Sequence, residues 1–420
     1  MRILHTSDWH LGQSFYGKSR APEHRAFLNW LLEQIPLQQI DAVIVAGDIF
    51  DTSAPPSYAR ELYNHFVVNM QQYHCQLFVL GGNHDSVAML SESQELLACI
   101  GTQVVPSVQT DISKQVFALY DADGQIGAVL GAVPYLRPRE LITSEAGEDG
   151  SRKQRKLGEA IKAHYEAIFA AARALTDAPV PVILTGHLTT VGASSSESVR
   201  DIYIGTLDAF NAHAFPQADY IALGHIHRAQ KVAKSEHIRY SGSPICLSFD
   251  ELSSPKQVLI AEFDPHGLTQ VTELAVPTFQ PLVSLNGDLE TIATQIDAIP
   301  LPDNGTVWLS VTVESQEYLS DLQSRVQALV EGRPFEVLQL KRLRQQSQMM
   351  TATAQETLSE LSVEDVFARR VALAQFDSPA EQLRLERMKQ MYQAVVAQVQ
   401  QQDETPRQQE AVEHDGERSL

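Results

Sequence analysis

Over the first 270 residues, short apolar runs end again and again in polar loops rich in Gly, His, Asp or Asn. Residues 3–6 lead into Ser7-Asp8-Trp9-His10-Leu11-Gly12, and residues 42–46 into Gly47-Asp48. Residues 76–80 lead into Gly81-Gly82-Asn83-His84-Asp85. Residues 180–185 end in Gly186-His187, and residues 220–223 in Gly224-His225-Ile226-His227. Runs this short, bounded by turn residues, read as buried strands. Between them the apolar spacing changes to that of helices: Phe27, Leu28, Leu31, Leu32 and Ile35 mark one over 23–35, Pro55-Pro56 opens another over 57–72, and a third runs from 152 to about 175. Further strand-like runs at 116–120, 126–133 and 257–263 predict a second sheet. The expected fold class is therefore α/β, a layered β-sandwich flanked by helices.

The pattern changes near residue 270. Strands over 282–285, 307–313 and 335–343 alternate with helices over 289–299 and 318–330, which makes a compact α/β unit. A polar stretch over 345–356 follows, then two amphipathic helices over 362–374 and 379–400. So little chain remains to cover their apolar faces that the pair is expected to dock on another protein. The last residues are polar and acidic, and disorder is expected there. The boundaries read as 1–270, 271–344, 345–402 and 403–420.

A chain of 420 residues with 44% hydrophobic content carries a sizeable core and more than one domain. No apolar run approaches the length of a membrane span. The chain opens on Met1-Arg2-Ile3 without a signal-peptide pattern, so a cytoplasmic, nucleoid-associated protein without a membrane partner is expected. Cys75, Cys99 and Cys246 are scattered and read as reduced, mostly buried small hydrophobes. The formal net charge of −20 argues against holding nucleic acid by bulk electrostatics. It leaves room for a metal-assisted nuclease, because bound cations supply the local field. Arg152-Lys153-Gln154-Arg155-Lys156 reads either as a solvated helix start or as a phosphate contact.

The polar loop ends carry Asp8, His10, Asp48, Asn83, His84, His187, His225 and His227. Oxygen and imidazole donors without a thiolate suit Mn, Fe or Zn in a catalytic site. Asp8-x-His10 and His225-x-His227 each place two side chains on one side of an extended segment. The donors outnumber what one ion needs. Two ions sharing a carboxylate would use them, and Asp48 is central in the order. Asp51 then falls outside the ligand count. His5, His24, His65, His74, His213, His237 and His266 lack the same setting and are given no functional role.

The series Asp8-x-His10, Gly47-Asp48-x-x-Asp51, Gly82-Asn83-His84-Asp85, Gly186-His187 and Gly224-His225-x-His227 resembles the calcineurin-like metallophosphoesterases. Three segments sharpen the match: Ser7 to Gly12, Gly186-His187-Leu188-Thr189-Thr190-Val191-Gly192 and Tyr240-Ser241-Gly242-Ser243-Pro244 resemble the nuclease subunits of bacterial SbcCD-type complexes. The resemblance implies a four-layer metallophosphoesterase sandwich. It implies that Asp8, His10, Asp48 and His227 hold one divalent metal and that Asp48, Asn83, His187 and His225 hold the other, usually manganese. His84 matches the family's catalytic histidine, and Asp85 is expected to orient it. The small α/β unit corresponds to a DNA-capping domain. Residues 345–402 correspond to a segment that docks on an SbcC-like coiled-coil ATPase. The helices near 57–72 and 91–99 correspond to a homodimer contact.

The implied activity is ATP-dependent 3′–5′ exonuclease action on double strands and endonuclease action on single strands and hairpins, in DNA repair, recombination and replication. ATP would enter only through the partner, since this chain has no G-x-x-x-x-G-K-[ST] loop. Arg137, Arg139, Arg200 and Arg228 are candidates for DNA contact. A stand-alone phosphodiesterase of small nucleotides and an inactive repair scaffold remain open as alternatives.

Overall fold

The structure, a computed structural model, describes residues 1–143, 149–199, 209–302, 305–314, 321–343, 387–388 and 391. The chain divides into two units, Met1–Gln345 and Gln346–Leu420. In the second, residues 387, 388 and 391 are helical. The expected linker, helix pair and acidic tail otherwise lie outside the described residues, as does Arg200.

The strands and helices of the first unit alternate. β1 (Arg2–Thr6) is followed by a small hairpin, β2 (Ser14–Phe15) and β3 (Lys18–Ser19), and then by α1 (Ala21–Leu37). β4 (Ala42–Val45), α2 (Ser57–Met70), β5 (Gln76–Leu80), the short α3 (Val87–Glu92) and α4 (Gln94–Cys99), and β6 (Thr102–Val105) complete a first half. The second half runs through β7 (Val116–Tyr120), β8 (Ile126–Gly131), α5 (Pro138–Leu141), α6 (Gly150–Ala174), β9 (Val182–His187), β10 (Tyr220–Gly224), β11 (Gln230–Lys231) and β12 (Ile238–Tyr240). β13 (Gln257–Asp264) and β14 (Gly267–Ala275) then return to the first sheet.

The two six-stranded sheets have orders β14-β13-β1-β4-β5-β6 and β11-β12-β10-β9-β8-β7. β1, β4, β5 and β6 are parallel to one another, and so are β8, β9, β10 and β12. Alternation along each strand decides the layers. In β4, Ala42 and Ile44 face the other sheet and meet Phe78, Leu130, Ile183 and Ala222. Val43 and Val45 face the opposite way, into a core closed by Phe27 and Leu31 of α1 and Phe66 of α2. On the far side Leu157, Ile161, Tyr165 and Ile168 of α6 cover β9 and β10 through Leu184 and Ile221. The result is four layers, helix–sheet–sheet–helix, as expected. α6 starts at Gly150, where the Asp149 carboxylate accepts from the Arg152 amide at 2.7 Å. Arg155 pairs with Glu159 one turn on, and both are exposed.

β15 (Leu282–Gly287), α7 (Leu289–Asp297), β16 (Val307–Glu314), α8 (Leu322–Val330) and β17 (Phe335–Leu343) form a separate three-stranded parallel sheet with order β15-β16-β17. It has its own core around Ile292, Leu309, Val311 and Val326. This sheet meets the hairpin: Trp308 stacks on Phe15 with centroids 5.8 Å apart, and Gln339 Nε2 donates to Tyr16 Oη at 2.7 Å. Lys18 also pairs with Glu336. Among the described residues no helix is long and apolar enough to cross a membrane. The three cysteines are free; Cys75 and Cys246 are half-buried, but Cys99 is exposed, at the last turn of α4, where the sequence suggested burial.

His5 and His24 are wholly buried. Burial lowers both from 6.5 to about 3, against the Leu223 carbonyl in the case of His5. The folded state therefore excludes protons that the unfolded chain binds between about pH 3 and 6.5. Stability rises with pH across that window and falls on acidification, by about 1.4 kcal/mol per pH unit for each histidine. In urea unfolding at pH 7, 6 and 5, His24→Leu is expected to remove one histidine's share of the wild-type pH slope. A slope unchanged in the variant would contradict this account.

Candidate metal centre

β1, β4 and β5 run parallel in one sheet and β9 and β10 in the other, and the loops leaving the carboxyl ends of both sets meet at one rim of the sandwich. The loops leaving them are tied together through backbone. Asp8 N donates to Gly47 O at 3.0 Å, and His10 N to Asp48 O at 3.1 Å. The turns are tight. Asp8, His10, Asp48 and His225 adopt φ values of 54°, 46°, 52° and 93°, a region that L residues rarely occupy. Such conformations persist where the surroundings over-determine them, and they gather at functional sites. Gly82 approaches Asp48 closely: a Cβ there would lie 2.1 Å from Asp48 Oδ1. Only glycine lets the β5 loop come up against Asp48.

Seven expected ligand residues converge. Asp8, His10 and His227 place donor atoms within 4.8 Å of one another, as do Asp48, His187 and His225. A third such group, His10, Asp48 and His84, joins them. Asn83 Oδ1 lies 2.9 Å from His187 Nε2 and 3.1 Å from His225 Nδ1. Asp48 Oδ2 lies 3.2 Å from His187 Nε2 and 3.6 Å from His10 Nε2. Asp8 accepts from the His225 amide at 3.0 Å and from the Ser7 hydroxyl at 2.5 Å.

The remaining bonds set the tautomers. His187 Nδ1 donates to Ala46 O at 2.9 Å, which directs its Nε2 to Asp48 and Asn83. His10 Nδ1 meets Asp51 Oδ1 at 3.1 Å, which directs Nε2 to Asp48. Two buried nitrogens, His10 Nε2 and His225 Nε2, make no hydrogen bond. Buried acceptors facing one another and orphaned imidazole nitrogens are what a divalent cation satisfies, so the donor set fits one.

The electrostatics follow from this crowding. Burial disfavours a charge on His187, yet the Asp48 carboxylate outweighs it and raises the imidazole to about 9. Burial likewise opposes protonation of His10, but the Asp51 hydrogen bond and Asp48 raise it. Asp48 is held well below the usual carboxylate range, because His187, His10 and His84 outweigh its own burial. His225 is pushed well down by burial and by the His187 charge.

His84 borders a cleft of about 330 Å³ that is also lined by His10, Asp51, Ser198, His227, Phe15 and Tyr16. Its amide donates to Asp48 Oδ1 at 2.9 Å, and its Nδ1 donates to the Asp51 carbonyl at 2.7 Å. Asp85 departs from expectation. Its carboxylate accepts from the amides of Gly82, Ile49 and Phe50 at 2.8, 3.2 and 3.0 Å. Adjacency in sequence suggested that Asp85 orients the His84 ring. Instead it clamps the β5 loop to the β4 loop, and the Asp51 carbonyl orients the ring. Burial and the Asp48 charge raise Asp85 to about 6, against those three amides.

The candidate DNA contacts divide. Arg137 Nη2 donates to the carbonyls of Gly82 and Asp85, both at 3.2 Å, behind the Asn83–His84 turn. Arg228 pairs with Asp250 at 3.0 Å. Both buttress loops of the centre. Arg139 is exposed on α5.

Sequence reading missed the support behind His227. Its Nδ1 lies 2.6 Å from Ser198 Oγ and 3.4 Å from Glu251 Oε1. Glu251 is completely buried, and Lys256 Nζ donates to its other oxygen at 2.6 Å. Burial alone would raise Glu251, but His227 and Lys256 outweigh it and hold the carboxyl far below its usual range. An acid in a serine-rich loop is ordinarily solvated, and nothing in the local pattern marks this one.

A family model described as calcineurin-like phosphoesterase matches residues 1–229. A second, described as type 5 capsule protein repressor C-terminal domain, matches residues 278–375. SbcD of the SbcCD nuclease from Escherichia coli (strain K12) is 54% identical over 385 residues, which cover 91% of this chain and 95% of that protein. The protein of the same name from Rhodobacter capsulatus is 30% identical over 88% of this chain and 94% of its own length. That from Bacillus subtilis (strain 168) is 33% identical over 67% of this chain and 71% of its own length.

Proposed function

The chain belongs to the calcineurin-like phosphoesterases, in the SbcD family, and on that premise we propose that it is the DNA-cutting component of an SbcCD-type complex. One observation carries the reading: carboxylate, amide and imidazole donors from five strand ends meet at one rim, beside a cleft. Asp8, His10, Asp48 and His227 would hold one divalent ion, and Asp48, Asn83, His187 and His225 the other. Oxygen and nitrogen donors with a neutral amide among them suit Mn²⁺. Bound there, the ions supply the charge that polarises a phosphodiester and a nucleophile usable at neutral pH.

The chain's own residues do the rest. Asp51 holds two rings at once, His10 through its carboxylate and His84 through its carbonyl. With Nδ1–H committed to that carbonyl, the imidazolium form of His84 presents Nε2–H to the leaving oxygen as general acid and is left neutral after the transfer. Asp85 and Arg137 keep the Asn83–His84 turn in place from behind. Residues 271–344 would cap the bound DNA, a role supported by the seating of Trp308 on the hairpin that lines the cleft. A small-nucleotide enzyme needs no such unit. Double-strand exonuclease and hairpin endonuclease action would draw on ATP hydrolysed by an SbcC-like partner. A second copy of the chain would cover the groove between α2 and α3–α4, where Val68 is 62% exposed.

The protein purified with an SbcC-type ATPase is expected to cut a labelled DNA hairpin with Mn²⁺ and ATP. Removal of residues 345–420 is expected to abolish the complex and the ATP-dependent activity together. A complex that survives the truncation would contradict the docking assignment. Cleavage of small nucleotides alone would favour the stand-alone enzyme, and no cleavage at all would favour the scaffold.

A further inference from the structure

We infer that Glu251 is a positioning residue of the centre, acting through Ser198 to fix the tautomer of His227 and so the nitrogen it presents to a metal. The inference rests on the two-metal reading above and concerns residues outside its ligand set.

Glu251 lies in a short turn, Phe249–Ser253, with none of its surface exposed. Every contact around it is a donor. Oε1 accepts from Ser198 Oγ, from Ser196 Oγ at 2.9 Å and from Ser248 Oγ at 3.2 Å. Oε2 accepts from Lys256 Nζ at 2.6 Å, the Leu247 amide at 3.0 Å and Ser243 Oγ at 3.3 Å. A carboxylate so surrounded, with an ammonium in contact, takes the Ser198 hydroxyl proton into its own hydrogen bond. The lone pairs of Ser198 Oγ then face His227 Nδ1 at 2.6 Å. Nδ1 must carry the proton, and Nε2 is left with the lone pair that binds metal. Glu251 Oε1 itself stands 3.4 Å from Nδ1, so the shorter contact through Ser198 sets the tautomer.

Lys256 Nζ also reaches the His227 carbonyl at 3.2 Å, so backbone and ring of the ligand are held by one buried cluster. Histidine ligands elsewhere depend on such partners for orientation, and loss of the partner lowers metal affinity about 10–100-fold. A buried ion pair with a purely structural role would lower stability without discriminating between two metal positions or changing a tautomer.

Two readouts test this on the full chain. Histidine ¹⁵N chemical shifts of the metal-free protein should report His227 as the Nδ1–H tautomer in the wild type. Glu251→Gln and Ser198→Ala should each shift it toward Nε2–H. Titration with Mn²⁺ should show two sites in the wild type. Glu251→Gln should weaken one of them about 10–100-fold and spare the other. Ser198→Ala removes only a hydroxyl, so it decides the matter if Glu251→Gln fails to fold. An Nε2–H tautomer in the wild type overturns the relay, as do folded variants with wild-type tautomer and wild-type affinities. Equal weakening of both sites also overturns it. A wild type that takes up no Mn²⁺ overturns the two-metal reading instead, while the ¹⁵N shifts still judge the relay.

Discussion

Asparagine at position 48 is expected to abolish uptake of both metals and to lower DNA cleavage by about 10³-fold or more. Asp48 stands in two of the three donor groups, one with His10 and His84 and one with His187 and His225. Its Oδ2 faces His187 and His10, while Oδ1 accepts from the His84 amide. An asparagine keeps the size and can keep that amide bond, so the loops should stay where they are. What disappears is the charge that the two proposed metal positions would share. A metal pair contributes several kcal/mol of charge stabilisation, and about 4 kcal/mol corresponds to about a thousandfold in rate. Mn²⁺ titration and hairpin cleavage, with circular dichroism to verify the fold, check the result. A variant that still takes up two ions would overturn the bridging role of Asp48.

How much of this could be read from sequence depended on whether a signal was local. The convergence of the candidate ligand residues was legible because each sits at the end of an apolar run, and the ends of parallel strands in each sheet come to one rim. The four layers were legible for a related reason. Val43 and Ile44 are both apolar, so β4 must be covered on both faces.

Contacts between distant segments left no such trace. Glu251 and Ser198 are 53 positions apart and look like ordinary loop residues, yet they meet behind His227. Asp85 misled because neighbours in sequence were taken as neighbours in space. Its three amide partners lie on two loops, and the His84 ring points elsewhere. Arg137 and Arg228 have partners within the protein that sequence did not show. An arginine near a catalytic loop suggests phosphate, but these two serve carbonyl groups and a carboxylate of the protein itself.

Glutamine in place of His84 is expected to lower cleavage about 10²–10⁴-fold while leaving Mn²⁺ uptake intact. The two effects separate if the ring serves the leaving oxygen and the backbone amide serves Asp48. The amide bond to Asp48 Oδ1 survives any substitution that keeps the turn. The ring, held through Nδ1 by the Asp51 carbonyl, borders the cleft where a phosphodiester would lie. Glutamine can donate a hydrogen bond from its amide but cannot release a proton, so it can hold the carbonyl contact and still fail as an acid. Cleavage of a substrate with a good leaving group needs no proton at the departing oxygen. On such a substrate, a nitrophenyl phosphodiester for example, His84→Gln should lose far less than on DNA. Equal losses on both substrates would mean that His84 orients the phosphodiester and does not protonate it. Lost Mn²⁺ uptake would place His84 among the ligands, a role its position beside His10 and Asp48 makes the natural competitor.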